Sequence, residues 1–342
     1  MLAWQAIRHG SPAEVLELRA VACPWPGAGE LRIRVEAASL NPIDFKLIRG
    51  DLRALSPLRF PVTPGFDACG IVDALGEGVE RFHLGERVIV RASRETLGAF
   101  AQYSVQPAAF VATAPRWTGA AAAAALPLVA LTSVQGLVDR AHAKPGQRIL
   151  VHAGAGGLGS FAIQYARHLG LSVDATCSAR NLDFVRSLGA DAAIAYDRED
   201  YRARGPIYDI VLDSLGGAHT LDAFRVLKPG GVVVRVAGPP DEEMIAKFAR
   251  GWAMRQAMRW MGRKVRAAAR AKDARYFRFL TEPSGAQLAD IVRRVDSGAI
   301  RPVVDSVFGY EQAPAAFEKL MGGHARGKIV LDFDTAVAPE ES

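Results

Sequence analysis

The segment "LRIRVEAASL" (31–40) alternates apolar and polar residues with a period of two. That period predicts a strand with one face buried and the other wet. "ACGIVDALG" and "ERVIV" repeat the pattern in shorter runs, bounded by glycine and proline, the residues that end strands in turns. The first third of the chain is therefore expected to form an irregular, mainly antiparallel β-barrel.

From about residue 123 the pattern changes. "QRILVHAG", "LSVDATC", "AAIAY", "YDIVLDSLGG" and "VVVRVAG" read as short apolar strands. "GGLGSFAIQYARHLG", "NLDFVRSLG" and "TLDAFRVLKPGG" lie between them with helical periodicity. Strand and helix alternating at this spacing predict βαβ units and a parallel sheet. "RYFRFL" reads as a further strand, and the chain closes through "QLADIVRRVDSG", "RPVVDSVFGY", "APAAFEKLMGG" and the strand-like "GKIVLDF". The class is α/β. A length of 342 residues suits two domains better than one core.

Composition is globular, with half the residues apolar and 23% charged. Cys23, Cys69 and Cys177 are scattered and form no Cys-x-x-Cys. They read as reduced thiols of a reducing compartment rather than zinc ligands. "MLAWQAIRHG" lacks the pattern of a secretory signal, so the expected location is cytoplasmic. The most apolar stretch, 119–138, is mostly alanine and is broken by Pro127, Thr132, Ser133, Gln135 and Gly136. It does not read as a membrane span.

The net charge of +6 is uneven: residues 247–278 hold eleven Lys/Arg and one acid, Asp273, which leaves the rest of the chain at −4. A nucleic-acid-binding role is not expected. Within this segment, "WAMRQAMRWMGRKVRAAAR" (252–270) puts Met254, Met258, Met261, Val265 and Ala268 on one helical stripe and Arg255, Arg259, Arg263, Arg266 and Arg270 opposite. Three readings fit this pattern: a helix packing its stripe on the core, a weak peripheral membrane contact, or a surface for an anionic partner.

"HAGAGGLG" carries Gly154-x-Gly156-x-x-Gly159 between a strand and a helix. In that context the motif is a dinucleotide-binding turn, with Gly154, Gly156, Gly157, Leu158 and Gly159 as candidate cofactor contacts. The helix N-terminus offers unpaired N–H groups to the pyrophosphate. Asp174 has the count of an NAD-selective acid but lies inside "LSVDATC". The strand end instead reads "CSARN", where Ser178 and Arg180 suit a 2′-phosphate, and Arg180 also suits the adenine face. NADP(H) is the expected cofactor.

"TPGFDACG" (63–70) sets an acid and a thiol beside a Pro-Gly turn, as a metal site would, but with Phe66 in its middle. Together with "NPIDFK", "PGFDACGIV", "GAFAQY", "ALPLVALTSVQGL", "GAGGLG" and "CSARNLDFVRSLGADAAIAY" in order, it resembles the medium-chain dehydrogenase/reductase superfamily. The likeness spans about residues 30–333 and is to the zinc-free quinone oxidoreductase, zeta-crystallin-like branch. It implies a GroES-like catalytic domain of residues 1–122 completed by 284–342, a Rossmann domain of residues 123–283, a substrate cleft between them, and a homodimer. In the zinc alcohol dehydrogenases of this superfamily, two cysteines and a histidine hold the metal. Asn41, Phe66 and Leu128 stand at those positions here. Phenylalanine and leucine cannot ligate zinc and asparagine ligates it poorly. No metal is expected, and Asp67 reads as a turn-stabilising carboxylate.

Without a Lewis acid, an alkoxide is poorly stabilised, whereas a quinone or conjugated enone spreads the developing charge over its π system. The small-molecule substrate expected is therefore a quinone or enone, reduced by NADPH. The resemblance implies that Asn41 faces the substrate oxygen or nicotinamide and that Thr132 lies on the nicotinamide side. It implies that Asp44 orders the loop more than it carries protons. It also implies that Tyr196 lies near the adenosine phosphate, and Ala237 and Gly238 under the nicotinamide ribose. Phe45 stands where the family often has a tyrosine, and water can supply the proton. A trans-2-enoyl thioester reductase and a non-catalytic NADPH-binding protein remain alternative readings of the same fold.

Overall fold

The computed structural model describes residues 1–53 and 57–333. Its strands, in chain order, are Leu2–Ala6 (β1), Leu16–Ala20 (β2), Glu30–Leu40 (β3), Asp67–Leu75 (β4), Arg87–Arg91 (β5), Tyr103–Pro107 (β6), Val111–Thr113 (β7), Arg148–Val151 (β8), Ser172–Cys177 (β9), Ala192–Ala195 (β10), Tyr208–Asp213 (β11), Leu227–Arg235 (β12), Arg275–Arg278 (β13), Val304–Gly309 (β14) and Lys328–Asp332 (β15). The chain divides into two compact units. One is Met1–Leu131 with the described residues from Glu282 on, and the other is Thr132–Thr281.

The first unit is built on a sheet of order β14-β15-β3-β4-β5-β7, with β6 also paired to β3. Every pair in it is antiparallel except β14 with β15. β3 alternates as its sequence predicts, burying Leu31, Ile33 and Val35. Its pairing with β4 slips between Arg32 and Ile33 and again between Val35 and Ala37. Such bulges bend a long strand and let a sheet curl. Gly70 sits in that ladder because a Cβ there would lie 2.2 Å from the Arg34 carbonyl oxygen. The main core gathers Ile33, Val88, Phe100, Phe317 and Leu331.

A second, smaller core of this unit packs Ala123, Ala124 and Ala125 against Ala37, Cys69 and Ile89. Alanine side chains let the helix Ala120–Ala124 approach the strands closely. The expected domain boundary at 122/123 therefore moves to Leu131/Thr132, and that at 283/284 to Thr281/Glu282. Residues 334–342 of the expected barrel completion lie outside the described residues. The helical run Ala120–Arg140 is apolar enough to span a membrane, but 78% of its most apolar window is buried in the protein, as in a core helix.

The second unit is a six-stranded sheet of order β10-β9-β8-β11-β12-β13, parallel throughout. This is the doubly wound order with its switch point beside the first strand, β8. Leu150, Ile194, Val211, Phe224 and Val233 form its core. "RYFRFL" contributes β13, in register with β12. The single helix expected over 252–270 is two helices, Trp252–Met261 and Arg263–Ala271. They break at Gly262, where a Cβ would sit 2.9 Å from the Pro240 carbonyl oxygen.

Candidate active site

After β8 the chain turns into the helix Gly157–His168. The turn is tied to β9: the Ala153 N–H donates to Thr176 Oγ1 at 3.1 Å, and the Gly154 N–H to the Thr176 carbonyl at 2.7 Å. A Cβ on Gly154 would lie 2.9 Å from that of Ala175, and one on Gly159 would lie 2.2 Å from the Ala153 carbonyl oxygen. These two glycines therefore let strand, turn and helix close on one another. Gly156 is the N-cap and has no side chain to satisfy the first-turn N–H groups, while Gly157 and Leu158 open the helix half-exposed. Unpaired N–H groups and the positive end of the helix dipole make this a cradle for a pyrophosphate. The residues fit a nicotinamide dinucleotide.

Ser178 and Arg180 follow β9 directly, and Arg180 is exposed. Ser178 Oγ accepts from Asn181 Nδ2 at 3.1 Å, and the Ala179 N–H is held by Asp197 at 2.9 Å. Asp174 lies three residues before the strand end and is fully buried. It accepts from the Tyr208 hydroxyl at 2.7 Å and from Arg148 at 3.0 Å, and Arg204 lies 3.4 Å away.

Tyr196 follows β10 and is 61% exposed. Ala237 and Gly238 come just after β12, which ends at Arg235, three residues before the expected end at Gly238. Gly238 has φ +131, and a Cβ there would lie 2.2 Å from the Arg235 guanidinium carbon. Because the strands are parallel, the glycine turn, Ser178, Arg180, Tyr196, Ala237 and Gly238 all follow carboxyl ends and so share one sheet edge, where doubly wound folds bind ligands.

The same edge holds a buried brace that the sequence reading missed. Asp213, ending β11, accepts from Thr220 Oγ1 at 2.6 Å and from the N–H groups of Leu215 and Gly216 at 3.0 Å each. His152 Nδ1 lies 3.2 Å away. Burial opposes ionisation of Asp213, but the hydrogen bonds from His152 and Thr220 and the charge of Arg235 outweigh it and hold the carboxyl below its usual range. Thr132, the first residue of this unit, shares a hydrogen bond of 2.7 Å with the Thr281 hydroxyl.

In the first unit, Asn41 caps the helix Pro42–Arg49 and is buried. Its N–H donates to Asp44 Oδ2 at 2.7 Å and its Nδ2 to Asp67 Oδ2 at 2.9 Å, while its Oδ1 accepts from Lys328. The amide expected to face substrate is thus engaged at both ends inside the unit. Asp67 also accepts from Ser39 Oγ at 3.1 Å and from the Leu128 N–H at 3.0 Å, with Lys328 Nζ at 3.4 Å. Lys328 Nζ donates further to the Leu40 carbonyl at 3.0 Å. Burial lowers the Lys328 pKa against the pull of Asp67 and Asp44. Burial also pushes Asp44 up to about 8, despite the Asn41 hydrogen bond. The signal for Lys328 was a lysine opening the otherwise apolar strand "KIVL".

These residues do not fit zinc. Phe66 lies fully buried among Leu47 and Leu97, with the Arg91 guanidinium 4.9 Å over its ring. Cys69 packs in the alanine-lined core, where burial pushes its thiol up to about 12. Among the described residues no three His, Cys, Asp or Glu side chains gather as metal ligands.

Comparison with known proteins agrees with this architecture. The family model described as an alcohol dehydrogenase GroES-like domain matches residues 27–116, and one described as zinc-binding dehydrogenase matches residues 188–331. The chain is 34% identical over 341 residues to the chloroplastic quinone-oxidoreductase homolog of Spinacia oleracea, covering 97% of this chain and 98% of that one. It is also 34% identical over 346 residues to the chloroplastic NADPH-dependent alkenal/one oxidoreductase of Arabidopsis thaliana, covering 97% of this chain and 79% of that one. The solved quinone oxidoreductase of Coxiella burnetii superposes with a TM-score of 0.83 at 30% identity, over 97% of this chain and 99% of that one. With both domains matched and the identity running nearly end to end, the chain belongs to the quinone oxidoreductase branch of the medium-chain dehydrogenase/reductase superfamily.

Proposed function

We propose that the protein is an NADPH-dependent reductase of quinones and α,β-unsaturated carbonyls. The observation that carries this reading is the pairing of a formed dinucleotide cradle with a corner whose zinc-ligand positions hold Asn41, Phe66 and Leu128. Bound NADPH supplies the hydride. With no metal donor set to stabilise an alkoxide, the favoured acceptors are those that delocalise the incoming charge. The names of relatives that reduce quinones and alkenals support the same class.

Preference for NADPH over NADH rests on two features of the second unit. Asp174 is buried and engaged by three side chains, so it is not offered to a ribose hydroxyl. Ser178 and Arg180 stand at the strand end, where a 2′-phosphate would lie. Thr132, oriented by Thr281, is the residue we read as nearest the nicotinamide. Asn41 and Asp44 hold the corner in shape rather than carry protons, and water provides the proton.

The test is a panel of acceptors followed by loss of reduced-nicotinamide absorbance: a quinone, an enone, its saturated ketone and an enoyl thioester. The quinone and enone should turn over on the order of a hundredfold faster than the saturated ketone, the scale of one lost electrophilic contact. Equal turnover of the saturated ketone would overturn the reading. Preference for the thioester would move the substrate class to acyl chains.

A further inference from the structure

The helix Trp252–Met261 buries one of its ten residues, Met258. An amphipathic helix ordinarily lays its apolar stripe on the core. Here turn spacing gathers Ala253, Met254, Ala257, Trp260 and Met261 along one side, and all five are exposed. Trp260 is 64% and Met261 58% exposed. The following helix, Arg263–Ala271, behaves otherwise and buries Val265 and Ala269 in the core of its unit. The break at Gly262 therefore separates a helix that is packed from one that is not.

The charges around the uncovered stripe are predominantly positive. Arg259 and Arg266 both lean on Glu242, at 3.4 and 3.8 Å, so two cations share one acid. Arg255, Lys264 and Arg270 make no ion pair among the described residues. The Arg263 guanidinium stacks 3.9 Å over the Trp260 ring. That contact puts a cation on the face of an aromatic at the margin of the apolar stripe. Tryptophan and arginine so combined suit the headgroup level of a bilayer, where one end is apolar and the other wet.

We propose that Trp252–Met261 is a docking surface for an anionic lipid bilayer. The helix lies in the interface plane with Met254, Trp260 and Met261 toward the acyl chains and Arg255, Arg259, Arg263 and Lys264 toward the phosphates. Charge complementarity selects this occupant. A second copy meeting the helix across a two-fold axis would set Arg255 and Arg259 against their own like, within a segment of eleven cations and one acid. A nucleic acid would use the cations but leave the exposed methionines and tryptophans in water.

The test is co-sedimentation of the full chain with vesicles of phosphatidylcholine alone and of phosphatidylcholine mixed with phosphatidylglycerol. Binding is expected with the mixed vesicles only. It should weaken tenfold or more as salt rises from about 0.1 to about 1 M, where the screening length falls from about 10 to about 3 Å. A Trp260→Gln/Met261→Gln variant should bind roughly tenfold or more weakly, since two apolar side chains no longer enter the interface. Its unchanged melting and NADPH affinity would show an intact fold. An Arg255→Gln/Lys264→Gln variant should lose part of the salt dependence. Brominated lipid should quench tryptophan emission in the wild type and not in the Trp260→Gln variant. Three results would each overturn the proposal: no sedimentation with anionic vesicles at low salt, full binding by Trp260→Gln/Met261→Gln, or a concentration-dependent dimer that the same variant abolishes.

Discussion

The hydroxyl of Tyr208, the first residue of β11, reaches across β8 to donate to Asp174 on β9 at 2.7 Å. Arg148, opening β8 between them, completes the contact from 3.0 Å. An acid that counts correctly for binding a ribose is thereby held in the amino half of the sheet, on strands whose carboxyl ends meet the cofactor. Asp174→Asn should leave the ratio of NADPH to NADH affinity unchanged and cost about 1.5–3 kcal/mol of stability, as a hydrogen-bonded charge is lost. Calorimetric titration with both cofactors and a denaturant midpoint check the two halves. A changed ratio would return Asp174 to the site.

Arg180→Ala should weaken NADPH binding by about 1.5–3 kcal/mol, the size of a charge-assisted contact, with NADH binding unaffected. The difference between the two dissociation constants is the measurement. Equal losses for both cofactors would assign Arg180 to the adenine face instead.

Gly159→Ala and Gly156→Ala should part company. A Cβ at 159 meets the Ala153 carbonyl oxygen at 2.2 Å, while one at 156 meets it at 3.4 Å. The first substitution should cost about 1–3 kcal/mol by overpacking and displace the turn, abolishing cofactor binding. The second should melt near the wild type. Thermal melts beside NADPH fluorescence titrations distinguish them.

Lys328→Met should destabilise the first unit by about 3–5 kcal/mol, because Asp67 and Asn41 lose a buried cationic partner. Chemical denaturation measures this, and a loss below about 1 kcal/mol would show the lysine to be dispensable.

Asp44 gives stability a sign with pH. Its carboxyl titrates ordinarily at 3.8 and in the folded chain at about 8. Between those values the native state keeps a proton that the unfolded chain has released. The contribution is therefore complete below the lower value and declines as pH rises through the upper one. Asp67, Lys328 and Arg91 are the charges acting on it. Asp44→Asn, neutral at every pH, should flatten the fall in denaturant midpoint across this window. A variant with the same slope as the wild type would contradict the shift.

Elemental analysis should find no stoichiometric zinc, and chelators should leave reductase activity intact, since Asn41, Phe66 and Leu128 supply no ligand set. One zinc per chain would refute this.

What the sequence made legible was local. The period-two run of β3, the strand–glycine–helix of the cofactor turn and the alternation that builds the parallel sheet all depend on neighbours within a few residues. What it hid was held by partners far along the chain. Lys328 meets Asn41 across 287 positions, and Tyr208 meets Asp174 across 34; no spacing rule reports such pairs. The helix break at Gly262 was hidden for the same reason, because the Pro240 carbonyl that forbids a side chain there is contributed by another turn. The domain boundary shifted because the alanines at 123–125, expected to open the second unit, pack into the core of the first.

β15 lies between β14 and β3, and its first residue, Lys328, secures the corner made by Leu40, Asn41 and Asp67. During synthesis, then, the central sheet of the first unit stays short of two strands until the whole of the second unit has emerged, although β3 and β4 precede that unit. The second unit is continuous and has every strand of its sheet available well before that. The nascent chain thus holds an unfinished barrel, with β3 lacking its β15 partner over Ala37–Leu40, while the nucleotide-binding unit is already able to fold. That open edge is where a chaperone, or another unfinished copy, would find a strand to pair with.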